Sequence, residues 1–250
     1  MNYFSICGIY KSEELYIGDW VKYHLASGAE HIYLYDNDSP DHSAAAARAA
    51  GGDKITIYPM HGHPVQHVAY ARCLDMHRLA SRWILFLDID EYLYSSTPIH
   101  TLLKDYENYP ALCPHWLLFG SNGKSVYASQ PVPLRFTHCQ NDVNPHVKSI
   151  VNPIRTYNWV SAHRFTHDIK PVDENFKPIE MTDSTPPNGT TNKIYIAHYF
   201  TKSREEFNER RSWPRPDTGE YRYNLEEAFA AHDRNERENL DIANVWSKIK

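Results

Sequence analysis

Three observations predict an α/β fold with a mostly parallel central sheet flanked by helices. Short apolar runs alternate with segments of helical period through roughly the first ninety residues. The most apolar of these runs, "WILFL" (83–87), ends abruptly in acidic residues. The remainder breaks into shorter strand-like pieces and closes in two C-terminal helices.

Each element has its own signal. "YFSICGIY" (3–10) reads as a buried strand. Ser12 is placed to cap a helix whose first turn carries Glu13 and Glu14 at the positive end of the helix dipole. Ile17, Trp20, Val21 and Leu25 recur at helical spacing with His24 on the same face, and Gly28 marks the stop. "HIYLYDND" and "KITIYP" are the second and third strands. Pro64 opens a helix with Val65, Val68, Ala69, Cys73, Met76 and Ala80 on one face, and "RWILFLDID" is the fourth strand. The order strand, helix, strand, strand, helix, strand implies a largely parallel sheet with ligands at its carboxyl edge. Beyond it, Pro98 begins a short helix to Asp105, and "HWLLFG", "VPLRFTH", "VKSIVNP" and "KIYIAHYF" are strand-like. Pro171 to Asn192 reads as a long loop, lid or insertion. Ser203 with Glu206 forms a capping box, and Asn224 with Glu227 resembles one. These parts are expected to make one domain over 1–250, with halves at 1–95 and 96–202 and a helical segment at 203–250.

Composition narrows the function classes. The 250 residues carry a net charge of −5, which argues against a nucleic-acid partner. No apolar run approaches the roughly 20 residues of a membrane span, although peripheral membrane association is compatible with the sequence. The N-terminus has no basic region leading into a signal-type apolar core. Cys7, Cys73, Cys113 and Cys139 lack CxxC spacing, which suggests reduced, packed thiols and a cytoplasmic protein.

The acidic end of the fourth strand carries the chemistry. Residues two apart on a strand share a face, so Asp88 and Asp90 are expected side by side. With no basic neighbour in sequence they would repel each other, and a hard divalent cation would relieve that repulsion. On this reading, Asp90→Asn would keep or raise the melting temperature of the metal-free protein. The competing readings are a cap on the next segment or a buried salt bridge. Haloacid-dehalogenase-type phosphatases also carry DxD after a strand, but Tyr92 stands where they have Thr or Val. Sugar-nucleotide transferases of the GT-A fold place the pair after several βα units, as here.

Longer stretches carry a named resemblance. "KSEELYIGDWVKYHLASGAEHIYLYDNDSPD" (11–41), "QHVAYARCL" (66–74), "WILFLDIDEYL" (83–93), "WLLFGSNG" (116–123), "VKSIVNP" (147–153) and "IAHYFTKSREEF" (196–207) occur in order. Together they resemble glycosyltransferase family 92 and its family-2-like relatives. Ser12, Asp19 and Arg72 depart from the pattern, which has Asn, Glu and Asn there.

The resemblance implies a GT-A (Rossmann-like) fold, a nucleotide-sugar donor such as a UDP-sugar, Mn²⁺ or Mg²⁺, and a glycan or polysaccharide acceptor. The first half would bind the donor and the second the acceptor. Family 92 transfers galactose with inversion, so inverting hexosyl transfer is expected. Asp90 would hold the metal, with Asp88 doing so directly or through water. His163, His167 and His198 compete to complete the site. Lys11, Glu14, Asp36, Asp38, Gln66 and Arg72 would contact the donor, although "DNDSPD" also reads as an Asx turn at Asp36. Trp116, Gly120, Ser121 and Lys148 would meet the acceptor, and Asp142 is the candidate general base. A Mg²⁺-dependent phosphohydrolase and a non-catalytic carbohydrate-binding protein are the alternatives.

Overall fold

The computed structural model describes residues 1–180, 189–214, 218–221 and 224–249. Its first part comprises β1 (Asn2–Tyr10), α1 (Ile17–Ala26), β2 (His31–Asp36), α2 (Ser43–Gly51), β3 (Ile55–Pro59), α3 (Gln66–His77) and β4 (Ser81–Leu87). Then come β5 (Glu91–Ser95), α4 (Ile99–Lys104), β6 (Ala111–Leu112), β7 (Trp116–Leu118), α5 (Val132–Arg135), β8 (His138–Cys139) and β9 (Ile150–Val151). The chain continues through β10 (Thr156–Ser161), β11 (Arg164–His167), β12 (Ile194–His198), α6 (Arg204–Arg211), α7 (Leu225–His232), β13 (Arg237–Glu238) and α8 (Asp241–Trp246).

The central sheet has the order β3-β2-β1-β4-β9-β6. Its β1–β2, β2–β3 and β1–β4 pairs are parallel, while β9 runs antiparallel to β4 and to β6. β1 and β4 are buried along most of their lengths because packed side chains cover both faces of the sheet. Successive strands step outward from β1 to β3, and the chain then returns to place β4 on the other side of β1. That reversal opens a crevice at the carboxyl ends of β1 and β4. A second sheet, β5-β12-β7, continues directly from the acidic turn.

Several sequence expectations change. The fourth strand stops at Leu87, so Asp88–Asp90 form a turn between two sheets rather than one strand face. A helix absent from the expected order, α2, supplies the crossover that parallel β2 and β3 require. Its Ala-rich run is a strong helix former and was legible. α1 starts at Ile17 instead of after Ser12, which sits at φ 53°. α3 is rotated from its expected face: Val68 and Met76 are exposed, while Gln66, Tyr70 and Leu74 are buried. "VPLRFTH" becomes the short α5 and β8. The capping box at Ser203 and Glu206 is present in full. Of the expected long loop, 181–188 lies outside the described residues; before it, Val172 bridges Leu112 and Pro178.

Side chains of α1 fix the strand that follows the acidic turn. Trp20 Nε1 donates to the Glu91 carbonyl (2.8 Å) and Tyr23 Oη to the Leu93 carbonyl (2.9 Å). His24 donates from Nδ1 to the Trp20 carbonyl (2.9 Å) and accepts the Leu93 N–H at Nε2 (3.3 Å). Both ring nitrogens are thereby committed to the neutral imidazole, and complete burial lowers its pKa from 6.5 to about 3. The unfolded chain takes up this proton first, so stability is lost as pH falls below 6.5, progressively toward 3. His24→Gln is expected to flatten the fall in melting temperature between pH 6.5 and 4, measured by circular dichroism; an unchanged slope would contradict this.

Candidate active site

The crevice at the carboxyl edge holds a cleft of about 160 Å³. β1 contributes Ile9, Tyr10 and the following Lys11 and Glu13, and the end of β2 contributes Asn37. The acidic turn contributes Asp88, Ile89 and Asp90, and α3 adds Gln66 from its first turn. The wall from the second half is Trp116, Ala162, His163, His198 and Phe200, while Arg210 and Arg211 reach in from the last turn of α6. A larger cavity of about 480 Å³ lies between α1, β5 and α4, but Ser, Thr and apolar groups line most of it and it is remote from these carboxylates.

Each acidic side chain in the cleft meets a cation. Lys148 Nζ lies 2.9 Å from Asp88 Oδ2 and 3.1 Å from Glu91 Oε2. Gln66 Nε2 donates to the other Asp88 oxygen at 2.9 Å, and the Asp88 N–H donates to Glu91 Oε2 at 2.9 Å. Burial works against ionisation of Asp88, but Lys148 outweighs it and holds the carboxyl below its usual range. For Glu91, fully enclosed, burial prevails over Lys148 and pushes the pKa up to about 8. Glu91 is thus the weaker acid of the two, and Lys148 bridges both carboxyl groups.

Asp90 has a separate set of partners. Its Oδ1 lies 3.6 Å from His198 Nε2 and its Oδ2 3.2 Å from Arg211 Nη2. The antiparallel register sets His198 of β12 opposite Glu91, one residue from Asp90. Burial lowers the His198 pKa, so its imidazole is neutral at pH 7. Against the cost of burial, His198 first and then the charges of Lys202 and Arg211 hold Asp90 well below the usual carboxylate range. His198 Nδ1 is buried without a hydrogen-bond partner. Trp116 packs on His198 at 4.3 Å and stacks on His146 at 4.9 Å between ring centroids, and its buried Nε1 also lacks a partner.

Among the described residues, no three His, Cys, Asp or Glu side chains are grouped to hold a metal ion. Two donors do stand together, Asp90 Oδ1 and His198 Nε2, one an ionised oxygen and the other a neutral imidazole. A hard divalent ion bound through one or two protein groups, with substrate phosphates and water in its other positions, fits that pair. Asp88 fits less well because Gln66 and Lys148 engage its oxygens.

Of the residues singled out from the sequence, Lys11, Gln66, Asp88, Asp90, Trp116, His163 and His198 line the cleft. Others do not. Glu14 is exposed and accepts the His42 N–H, whereas its neighbour Glu13 is buried in the cleft against Arg210 (3.1 Å). Asp36 accepts the Ser39 N–H in a turn, and Asp38 pairs with His61 outside the cleft. Arg72 is exposed on α3 with its guanidinium over the Tyr58 ring. Asp142 is exposed and outside the cleft, so it is not placed to act as base.

The acceptor side changes too. Lys148 is completely buried behind Asp88, out of reach of an acceptor. Gly120 and Ser121 are roofed by the C-terminal segment: a Cβ at Gly120 would sit 2.6 Å from the Arg234 carbonyl, and the Ser121 N–H donates to Asp233. His167 bonds Thr156 in the β10–β11 hairpin, away from the cleft. Glu13, Asn37, Arg210 and Arg211 went unrecognised in the sequence. Glu13 had a signal in its pairing with Glu14, but an early helix start gave it the wrong phase.

Two stability measurements follow from these ion pairs. Lys148→Met leaves buried acids without their cation and is expected to cost about 3–5 kcal/mol in denaturant unfolding. Asp90→Asn is expected to lower the melting temperature in metal-free buffer, since it breaks an attraction to Arg211 instead of relieving a repulsion. This reverses the expectation drawn from sequence. A melting temperature kept or raised by Asp90→Asn would restore it.

Comparison with known proteins gives a consistent picture. A glycosyltransferase family 92 protein of Oryza sativa subsp. japonica is 24% identical over 158 residues, which is 59% of this chain and 26% of that protein. One from Ricinus communis is 27% identical over 159 residues, 59% of this chain and 28% of its own. The matched stretch thus spans little more than a quarter of these longer relatives. Among solved structures, Staphylococcus aureus TarS 1-349 in complex with UDP aligns with a TM-score of 0.39 and 16% identity, covering 60% of this chain and 47% of TarS. Glucosyl-3-phosphoglycerate synthase from Mycobacterium tuberculosis, in complex with Mn²⁺, UDP-glucose and phosphoglyceric acid, aligns with a TM-score of 0.33 and 17% identity, covering 46% and 44% of the two chains. The pattern of the whole family matches residues 2–218, and the chain belongs to glycosyltransferase family 92.

Proposed function

We propose that this chain transfers a hexosyl group, with inversion, from a uridine diphosphate sugar to a carbohydrate hydroxyl, aided by a divalent cation. The observation that carries this reading is the Asp90–His198 pair at the carboxyl edge of β4, where the strand order reverses. Asp90 and His198 would hold the ion, Mn²⁺ or Mg²⁺, with diphosphate oxygens completing its sphere. Such an ion stabilises the negative charge that develops on the departing nucleoside diphosphate.

The chain's own residues supply the rest. Lys148, Glu91 and Gln66 hold the Asp88 carboxylate in one place at the cleft wall, ready for a donor hydroxyl or a metal-bound water. Trp116 lines the cleft and presents part of its indole ring to a sugar. The carboxylates lining the cleft are each paired, Glu13 with Arg210, Asp88 with Lys148 and Asp90 with Arg211. A proton acceptor for the sugar hydroxyl therefore requires one of these pairs to open. Glu13 suits that role best, because burial already raises its affinity for a proton.

The test uses thermal shift and a radiolabelled transfer assay. Mn²⁺ with UDP is expected to raise the melting temperature of the native protein, because a ligand bound only by the folded state stabilises it. Asp90→Asn and His198→Gln are each expected to lose most of that shift together with transfer. A shift that survives in both variants would refute the assignment. Trp116→Ala is expected to spare donor hydrolysis while reducing transfer to the acceptor, and equal loss of both would remove Trp116 from the acceptor site.

A further inference from the structure

The cleft is smaller than its proposed task demands. Ligand pockets commonly enclose roughly 300–1,000 Å³, whereas this one holds about 160 Å³. What narrows it is visible. α6 ends in consecutive arginines that both point into the cleft, Arg210 onto Glu13 (3.1 Å) and Arg211 onto Asp90 (3.2 Å). The Arg211 guanidinium carbon lies over the Phe200 ring, 3.8 Å from its centroid, and Nη2 also donates to the Phe200 carbonyl. Two cations thus occupy the acidic floor that a metal and a diphosphate would otherwise share.

We propose that the end of α6 is an electrostatic latch, in which Arg211 holds Asp90 until the donor binds and then turns onto its diphosphate. The exchange conserves charge. Arg211 trades one carboxylate for phosphate oxygens, and Asp90 trades a guanidinium for the divalent ion. A guanidinium suits the trade because its planar fork can bridge two phosphate oxygens, which an ammonium cannot do. Arg210 makes the parallel exchange at Glu13 and frees that carboxylate. Lys11, which also lines the cleft, adds a cation on the same side. Donor and metal therefore recruit each other, since each removes the partner that obstructs the other. This inference rests on the reading of the site as a nucleoside-diphosphate and metal site.

The latch makes a prediction of opposite sign for its two ligands. With the whole 250-residue chain, Mn²⁺ alone and UDP at saturating Mn²⁺ are titrated by calorimetry into the native protein and Arg211→Gln. Arg211→Gln removes the competitor from Asp90, so Mn²⁺ alone is expected to bind severalfold more tightly. It also removes a charged contact to the diphosphate, so UDP is expected to bind about ten- to a hundredfold more weakly. Unchanged UDP affinity would overturn the latch, and so would Mn²⁺ affinity that stays equal or falls. Should Arg211→Gln fail to fold by circular dichroism, Arg211→Lys decides. It keeps the charge but not the fork, and native-like UDP affinity in that variant would overturn the proposal. If the native protein binds neither Mn²⁺ nor UDP, the functional reading fails and the latch with it. If the native protein binds both and Arg211→Gln matches it, the latch alone fails.

Discussion

Glu91 leaves bulk water at the end of β4, Asp90 nearly so and Asp88 in part, and the desolvation of those acids is offset by groups brought from distant parts of the chain. Lys148 comes from the segment entering β9, His198 from the end of β12, and Arg211 from the last turn of α6. An isolated buried carboxylate would take a proton instead of remaining charged. Burial pushes Glu91 in that direction, up to about 8 even beside Lys148, whereas charged partners hold Asp88 and Asp90 below the usual carboxylate range. The difference between neighbours decides the chemistry available: fixed negative charge at the cleft, and a weaker acid behind it.

The fold serves this arrangement in a specific way. The parallel core β3-β2-β1-β4 delivers the acidic turn to the carboxyl edge, and the second sheet begins one residue after Asp90. β5 is held from one side by Trp20, Tyr23 and His24 of α1 and from the other by β12. Pinning β5 in this way fixes the register that sets His198 beside Asp90. A slip of one residue would turn every side chain of β12 to the other face and remove the imidazole from the site. Site and scaffold are therefore coupled through backbone hydrogen bonds, among them Tyr199 N–H to the Asp90 carbonyl (2.9 Å) and Phe119 N–H to the His198 carbonyl (3.0 Å).

Local patterns carried much of the architecture. β1, β2, β3 and the apolar part of β4 were legible as apolar runs, and the capping box at Ser203 marked the start of α6. The Ala-rich α2 was legible and overlooked. In the site, motif resemblance reached Asp88, Asp90, Gln66, Trp116, His163 and His198, because each belongs to a short recognisable stretch or a strand-end histidine. Lys148 drew attention for the wrong reason: its partners Asp88 and Glu91 are about sixty positions away in sequence, and no local pattern announces such a pair. Arg210 and Arg211 follow the same rule. They look like ordinary basic residues in the last turn of a helix, where cations are favourable anyway. Asp142 and Arg72 failed for the converse reason, since charge in a plausible stretch says nothing about which way a side chain faces.

The proposed reaction depends on Asp90 and His198 together holding one divalent ion beside a nucleoside diphosphate. Pulsed electron paramagnetic resonance on the Mn²⁺–UDP complex reads this directly, because an imidazole nitrogen bound to Mn²⁺ modulates the electron spin echo. That nitrogen modulation is expected in the native protein, with its loss in His198→Gln and its persistence in His163→Gln. A native complex without the modulation, or one that keeps it when His198 is replaced, would contradict the assignment.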